Sequence, residues 1–337
     1  MKTVKIILAG LVISAFSLMT VQAGEMTVSG SMKIANTKRG NGETGNPLGQ
    51  DKEFAFTGST ELDNGMTAAY KVTTTDGFAF NDSELMFTTS YGTIGMSSTG
   101  GTIEDIDNIV PTAFEEAEAL INFTSSTGFL DVGNTDGTYG IVYKNAIPGG
   151  MNLTAYYTPR HGAGDGSADD APTASTSSGN DSGYSVMLRG NPLGLIDGVD
   201  FAIGYENLGD KRTKVTNTDQ ESYTAALNYA YGPVKVGYQK GYYHTGNEGA
   251  TTVEGYANDY VGIAYAVNDN LSVSYQNTKS KRYSHTGDNI ETDIDGYSVA
   301  YTMGGMTIAY VDNKATNANY TRNTTRSGSQ VAISLAF

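Results

Sequence analysis

The sequence predicts an all-β fold, a transmembrane antiparallel up-and-down β-barrel of about sixteen strands with long outer loops and short periplasmic turns. Three observations carry this expectation. Apolar residues recur with period 2 along the chain, the links between alternating segments switch between tight and long, and the chain ends on an alternating segment with an aromatic last residue. In that segment Val331, Ile333, Leu335 and Phe337 share one face, and Ala332, Ser334 and Ala336 the other. A soluble sheet would cover the greasy face with more chain, whereas here the covering is expected to be lipid.

At the other terminus Lys2 and Lys5 precede an apolar run from Ile6 to Met19, and Val21-Gln22-Ala23 forms a small-residue cleavage site. Residues 1–23 therefore read as an export signal, with the mature chain beginning at Gly24 and forming one domain over 24–337. The run is too short for a comfortable membrane span. No later apolar stretch approaches the length of a membrane helix, and mean hydropathy is -0.31.

The elements follow in order. Met26, Val28, Met32 and Ile34 face away from Thr27, Ser29, Ser31 and Lys33. A hairpin from Phe54 to Met66 turns at Asp63-Asn64-Gly65, and further tight links fall at Ser90-Tyr91-Gly92, Pro148-Gly149-Gly150 and, somewhat longer, Asn191 to Gly198. In the second half Tyr223, Ala225, Leu227 and Tyr229 alternate with Thr224, Ala226 and Asn228, and Val234, Val236 and Tyr238 with Lys235, Gly237 and Gln239. Similar alternation at Val261–Val267, Leu271–Tyr275, Tyr297–Tyr301 and Met306–Tyr310 is punctuated at Tyr231-Gly232-Pro233, Asn268-Asp269-Asn270 and Met303-Gly304-Gly305. The long polar links are expected at 37–52, 99–137, 159–182, 207–220, 244–255, 279–292 and 313–328, with a short one near 75–81. A soluble β-sandwich is the competing architecture, but it would tolerate irregular link lengths. A barrel of this size leaves an aqueous lumen.

Composition excludes several classes. The chain has no cysteine, which removes disulfides, thiol catalysis and thiolate metal sites. The net charge is -15, and loss of Lys2 and Lys5 with no acid takes the mature chain to -17, which disfavours a nucleic-acid partner. The 42 Gly and 23 Tyr, with no Trp, suit close strands and an amphipathic aromatic at the headgroup boundary.

The mature start Glu25-Met26-Thr27-Val28-Ser29-Gly30, the hairpin Phe54-Ala55-Phe56-Thr57-Gly58 through Asn64-Gly65-Met66, the segment Tyr91-Gly92-Thr93-Ile94-Gly95-Met96 and the terminal Phe337 together resemble the trimeric Gram-negative general-diffusion porins. The resemblance implies a sixteen-stranded barrel in the outer membrane, a homotrimer, and a third loop folded into the pore. It also implies that Phe337 is read by the barrel-insertion machinery. Outer-membrane lipid, lipopolysaccharide and small polar solutes are the further partners it implies.

The link over about 99–137 is the candidate third loop, and it carries Glu104, Asp105, Asp107, Glu115, Glu116 and Glu118 around Pro111 and Thr112. As a surface loop these would be solvated charges; folded inward they would line the constriction and focus a field there. By register Lys33 and Lys71 face the lumen near mid-height, while Lys144, Arg189 and Lys235 face inward near the short turns. The family commonly sets a cluster of arginines against its third loop, and this chain offers two well-placed lysines, which favours a weaker field and a cation preference.

Catalysis has little support. His161, His244 and His285 fall in separate outer links, without a serine in register for a nucleophile pair, and dispersed histidines make a poor metal site. No cofactor is expected, although Asp165 with Asp169 and Asp170, or the third-loop acids, could hold Ca²⁺ through oxygen ligands. Two functions remain: passive diffusion of small hydrophilic solutes and ions, or a surface or adhesive barrel with binding loops and a closed lumen. A porin with a substrate-specific site ranks below both, since no continuous aromatic track is legible.

Overall fold

The computed structural model describes residues 26–40, 45–74, 77, 79–98, 103–121, 139–159, 180–194, 196–210, 218–249 and 253–337. The expected signal over 1–23, most of the link over 159–182 with His161, Asp165, Asp169 and Asp170, and the rest of the 99–137 link lie outside them.

The alternating segments become sixteen strands: β1 (Met26–Arg39), β2 (Leu48–Glu61), β3 (Thr67–Thr74), β4 (Phe80–Thr89), β5 (Gly92–Ser97), β6 (Gly140–Ile147), β7 (Met151–Thr158) and β8 (Asn180–Gly190). The second half adds β9 (Val199–Asp210), β10 (Gln220–Tyr231), β11 (Val234–His244), β12 (Val253–Ala266), β13 (Leu271–Ser284), β14 (Ile290–Met303), β15 (Met306–Thr316) and β16 (Thr325–Ala336). Each strand pairs antiparallel with its chain neighbours, and β16 pairs with β1 to close the barrel. Closure leaves no open edge, which is what a sheet surrounded by hydrocarbon requires.

Among the described residues the only helical pieces are single 3₁₀ turns at Glu104–Ile106, Pro192–Gly194 and Ala318–Tyr320. The tight links fall where Gly and Asn punctuate the alternation. Gly232 and Gly304 sit at φ +56° and +60°, which a residue with a Cβ reaches only with strain.

At the end of the β1–β16 ladder one glycine and two aromatic rings meet. Gly30 and Phe337 exchange both backbone hydrogen bonds, at 2.8 and 3.0 Å. The Phe337 ring lies edge-on to Phe54 with centroids 6.1 Å apart, and a Cβ on Gly30 would stand 2.8 Å from the Phe337 ring. Above this point Met32 faces Leu335 and Ile34 faces Ile333. The greasy face of β16 stays uncovered by protein, with Val331 52%, Ile333 41% and Leu335 43% exposed.

The strands run further toward the long connections than hydropathy alone indicates. The expected links over 37–52, 279–292 and 313–328 shrink to 40–47, 285–289 and 317–324. Directly opposed residues share a face, so Lys240, Asp259, Lys279 and Asp293 form one outward row across β11 to β14. On β13 and β14 the outward residues turn polar from Asn277 and Asp295, one row before this one, while the hydrogen-bond ladder continues.

The packed interior is the lumen itself. Buried apolar clusters join Ile103 and Ile106 to Met187, Ala202 and Ala226, and Val110, Ala117 and Ile121 to Tyr243, Tyr256, Tyr260 and Tyr320. Residues 103–121 therefore fill part of the barrel.

Candidate functional site

Residues 103–121 of the link following β5 lie inside the lumen against the wall of β8 to β16. Glycines mark its path. A Cβ on Gly204 would lie 2.9 Å from Ile103, on Gly237 2.5 Å from Pro111, on Gly296 2.5 Å from Ala117 and on Gly328 2.7 Å from Leu120. Only a bare backbone at these inward positions admits the loop so close to the strands.

Uncharged inward side chains then hold its backbone. The Gln239 amide donates to the Ile106 and Asp107 carbonyls, both at 2.6 Å, and its oxygen accepts from the Ile109 N–H at 3.0 Å. Asn228 donates to the Ile109 carbonyl at 2.8 Å. Gln276 accepts from the Ala117 N–H at 2.8 Å and donates to the Val110 carbonyl at 3.0 Å. Ser274 and Ser298 accept from the Ala113 and Phe114 N–H groups at 2.9 and 3.1 Å, and Asn313 from Leu120 at 3.3 Å. A loop without strand neighbours of its own has its backbone polar groups satisfied by the barrel wall.

This anchoring divides the six acids. Glu115 reaches the opposite wall, where Lys33 Nζ donates to its Oε1 at 3.1 Å. Glu116 stands beside it, and burial followed by the neighbouring charges of Glu118 and Glu115 pushes its carboxyl up to about 8. Glu118 is turned back: it accepts from Asn108 Nδ2 at 2.7 Å and from Thr278 Oγ1 at 3.2 Å, and burial raises its pKa. Asp105 lies at the other end of the loop. Solvent reaches it, yet surrounding protein raises its pKa, which the positive charges of Lys144 and Arg189 partly offset. Glu104 begins the 3₁₀ turn with Asp105, and Asp107 follows it, with its carbonyl bonded to Gln239.

The facing wall is β1 to β4. Lys33 is opposite Asp51, and Lys71 is opposite both Thr57 and Glu84, so all five share the lumen face. Ser97 Oγ donates to Glu84 Oε1 at 3.2 Å. Glu53, two residues from Asp51, faces inward as well. Lower down, Lys144 lies opposite Thr93 and Thr154, Lys235 opposite Ala230, and Arg189 forms a two-pronged pair with Asp200, at 2.9 Å for Nη2 to Oδ2. The lysine wall of the sequence reading thus contains Asp51, Glu53 and Glu84 too. Asp51 and Glu53 were legible by counting in twos away from the parity of Phe54 and Phe56, and Glu84 away from that of Leu85 and Phe87; the inward Gln, Asn and Gly residues that seat the loop carry no signal within their own strands.

Among the described residues, no group of three or more His, Asp or Glu side chains converges as metal ligands would. His244 lies 3.8 Å from Glu248, and His285 bonds the Asn247 carbonyl at 2.8 Å.

Beside the closed sixteen-stranded barrel with a loop lying inside it, a family described as Gram-negative porin matches the chain over residues 9–326. The chain belongs to the Gram-negative porins. No curated protein sequence matches it. Among solved structures, in-vitro folded OmpT, an outer membrane protein of Vibrio cholerae, superposes with TM-score 0.69 at 10% identity, covering 95% of this chain and 99% of that one. The trimer form of the same protein gives 0.65 at 12% identity, covering 94% and 100%. Salmonella typhi OmpF in complex with daunomycin gives 0.63 at 12% identity, covering 93% and 97%. These likenesses are of fold. With family and barrel together they place this porin in the outer membrane.

Proposed function

We propose that this porin is a passive diffusion pore for small hydrophilic solutes and ions, with a preference for cations set where the inward loop faces β1 to β4. The observation that carries the reading is the Lys33–Glu115 pair, which bridges the loop's free edge to the far wall. On the wall facing that bridge Asp51, Glu53 and Glu84 outnumber Lys71, and Glu116 adds its charge as pH rises through about 8. A narrow passage concentrates such a field, which lowers the barrier for cations. The trimer form among the similar structures supports a homotrimer, and residues 1–23 support export by a cleaved signal.

Reversal potentials across planar bilayers in a salt gradient test the reading. The wild type is expected to favour cations, Glu115→Gln with Glu116→Gln to lose part of that preference, and Lys33→Gln to strengthen it. Unchanged reversal potentials would remove these residues from the aperture. Above the loop, Tyr243, Tyr256 and Tyr320 crowd the inner face, with ring centroids 6.4 and 5.3 Å apart. That crowding favours a second reading, a surface barrel with a closed lumen; absence of stepwise conductance from folded protein would select it.

A further inference from the structure

The connection between β15 and β16, residues 317–324, bends back into the barrel, where Ala318 and Tyr320 are buried to 1% and 2% exposure. Four of its non-glycine residues sit in the left-handed region: Asn317 at φ +50°, Asn319 at +55°, Tyr320 at +51° and Asn323 at +61°. Asparagine visits that region readily because its short amide bonds the local backbone, as Asn317 Oδ1 does in accepting from the Asn323 N–H at 3.1 Å. A tyrosine does not, so Tyr320 is held there by its surroundings.

Those surroundings lie on other strands. The Tyr320 hydroxyl shares a hydrogen bond with Ser280 Oγ at 2.7 Å. Its N–H donates to Thr292 Oγ1 at 3.3 Å, and Thr292 in turn donates to the Asn317 carbonyl at 2.9 Å. Its ring stands 5.3 Å from that of Tyr256, with the Arg282 guanidinium 5.1 Å from its centroid. Ser280 and Thr292 are opposed on β13 and β14, so the side chain reaches from the end of β15 past β14 to β13.

Beneath it lies the end of the inward loop. Down β15 from Asn317 the inward residues are Ala315 and Asn313, and Asn313 accepts from the Leu120 N–H at 3.3 Å and donates to the Glu116 carbonyl at 3.4 Å. Ala117 and Ile121 share one buried cluster with Ala315, Ala318, Tyr256 and Tyr320. The loop end is thus walled by β14 to β16 and roofed by 317–324. Glu115 and Glu116 immediately precede Ala117, so whatever seats this end also sets where those carboxylates stand.

We propose that residues 317–324 are a strap that seats the inward loop, with Tyr320 as its latch and as a positioning residue for Glu115 and Glu116. Releasing the latch lets residues 117–121 lift from β15 and enlarges the passage; only this electrical consequence rests on the pore reading. The left-handed backbone at Tyr320 favours release, since its strain is relieved once the ring leaves its place.

The chain has no cysteine, so a single introduced thiol reports the seating. Leu120→Cys puts a smaller side chain at a position 4% exposed. Its labelling by a water-soluble methanethiosulfonate is followed on heat-modifiable, folded barrel in neutral detergent, beside single-channel recordings. Adding Tyr320→Asn, which suits the left-handed backbone but lacks the ring, is expected to speed labelling about tenfold, the scale of losing one aromatic contact, and to raise conductance. Tyr320→Phe keeps the ring between Tyr256 and Arg282 and is expected to leave both near the parent's values. Arg282→Gln loosens the latch from β13 and is expected to speed labelling by a smaller factor. Equal labelling in the parent and in folded Tyr320→Asn or Arg282→Gln would overturn the strap. Faster labelling with unchanged conductance would overturn the positioning role. Faster labelling with no conductance steps in any sample would sink the pore reading and leave the strap standing.

Discussion

At the scale of single residues, Glu116 is expected to give the pore a response to pH near and above neutrality. Its carboxyl, raised to about 8 by burial and then by Glu118 and Glu115, is largely neutral at pH 6 and ionised at pH 9.5. Cation over anion permeability is therefore expected to climb between those values, and Glu116→Gln to flatten the climb in reversal-potential measurements. The sign for stability is opposite. The folded state holds this proton more tightly than the unfolded chain, so the contribution is complete below about pH 4.5, the unperturbed value, and is lost as pH rises through 8. Lys33 and Glu115 illustrate a different balance. Both are part-exposed to the lumen, so their pair adds little stability, and its value lies in fixing where opposite charges face each other.

At the scale of elements, the inward loop is held by packing onto glycines as much as by hydrogen bonds. Each bond from Gln239, Gln276 or Asn313 contributes about 1 kcal/mol net, and they act together because the loop backbone would otherwise be buried without partners. Gly296→Leu places a side chain where Ala117 sits, a clash that costs about 1–3 kcal/mol if the loop holds its place. The loop is expected to lift from β14 instead, seen as a larger single-channel conductance and weaker ion selectivity. Unaltered conductance in a folded Gly296→Leu barrel would show the loop to be more tightly seated than these contacts indicate. Strand faces were legible by counting in twos: Lys33, Lys71, Lys144, Arg189 and Lys235 all lie inward by register. Strand ends were not, because hydropathy reports the lipid boundary rather than the last ladder bond, as Lys279 and Asp293 show within paired β13 and β14.

For the whole molecule, closure is the decisive event, and it joins the first described strand to the last residue. Deleting Phe337 removes both backbone bonds to Gly30 and the ring that covers it. The expected outcome is a lower yield of heat-modifiable barrel in cells, with normal conductance from the fraction that folds; normal cellular assembly would count against an assembly role for this residue.

Period-2 alternation, the alternation of tight and long links, and an aromatic terminus were sufficient for the architecture, since lipid outside and water inside impose those patterns strand by strand. The sequence by itself also determined that the acids cluster in one long link. Which acids meet the passage was decided only by the tertiary structure. Glu115 faces Lys33 and Glu118 turns to Thr278 because the loop is seated by residues 119 to 197 positions away, such as Asn228 and Asn313. Contacts made across a lumen leave no local period in the chain, and only closure of the barrel brings their partners together.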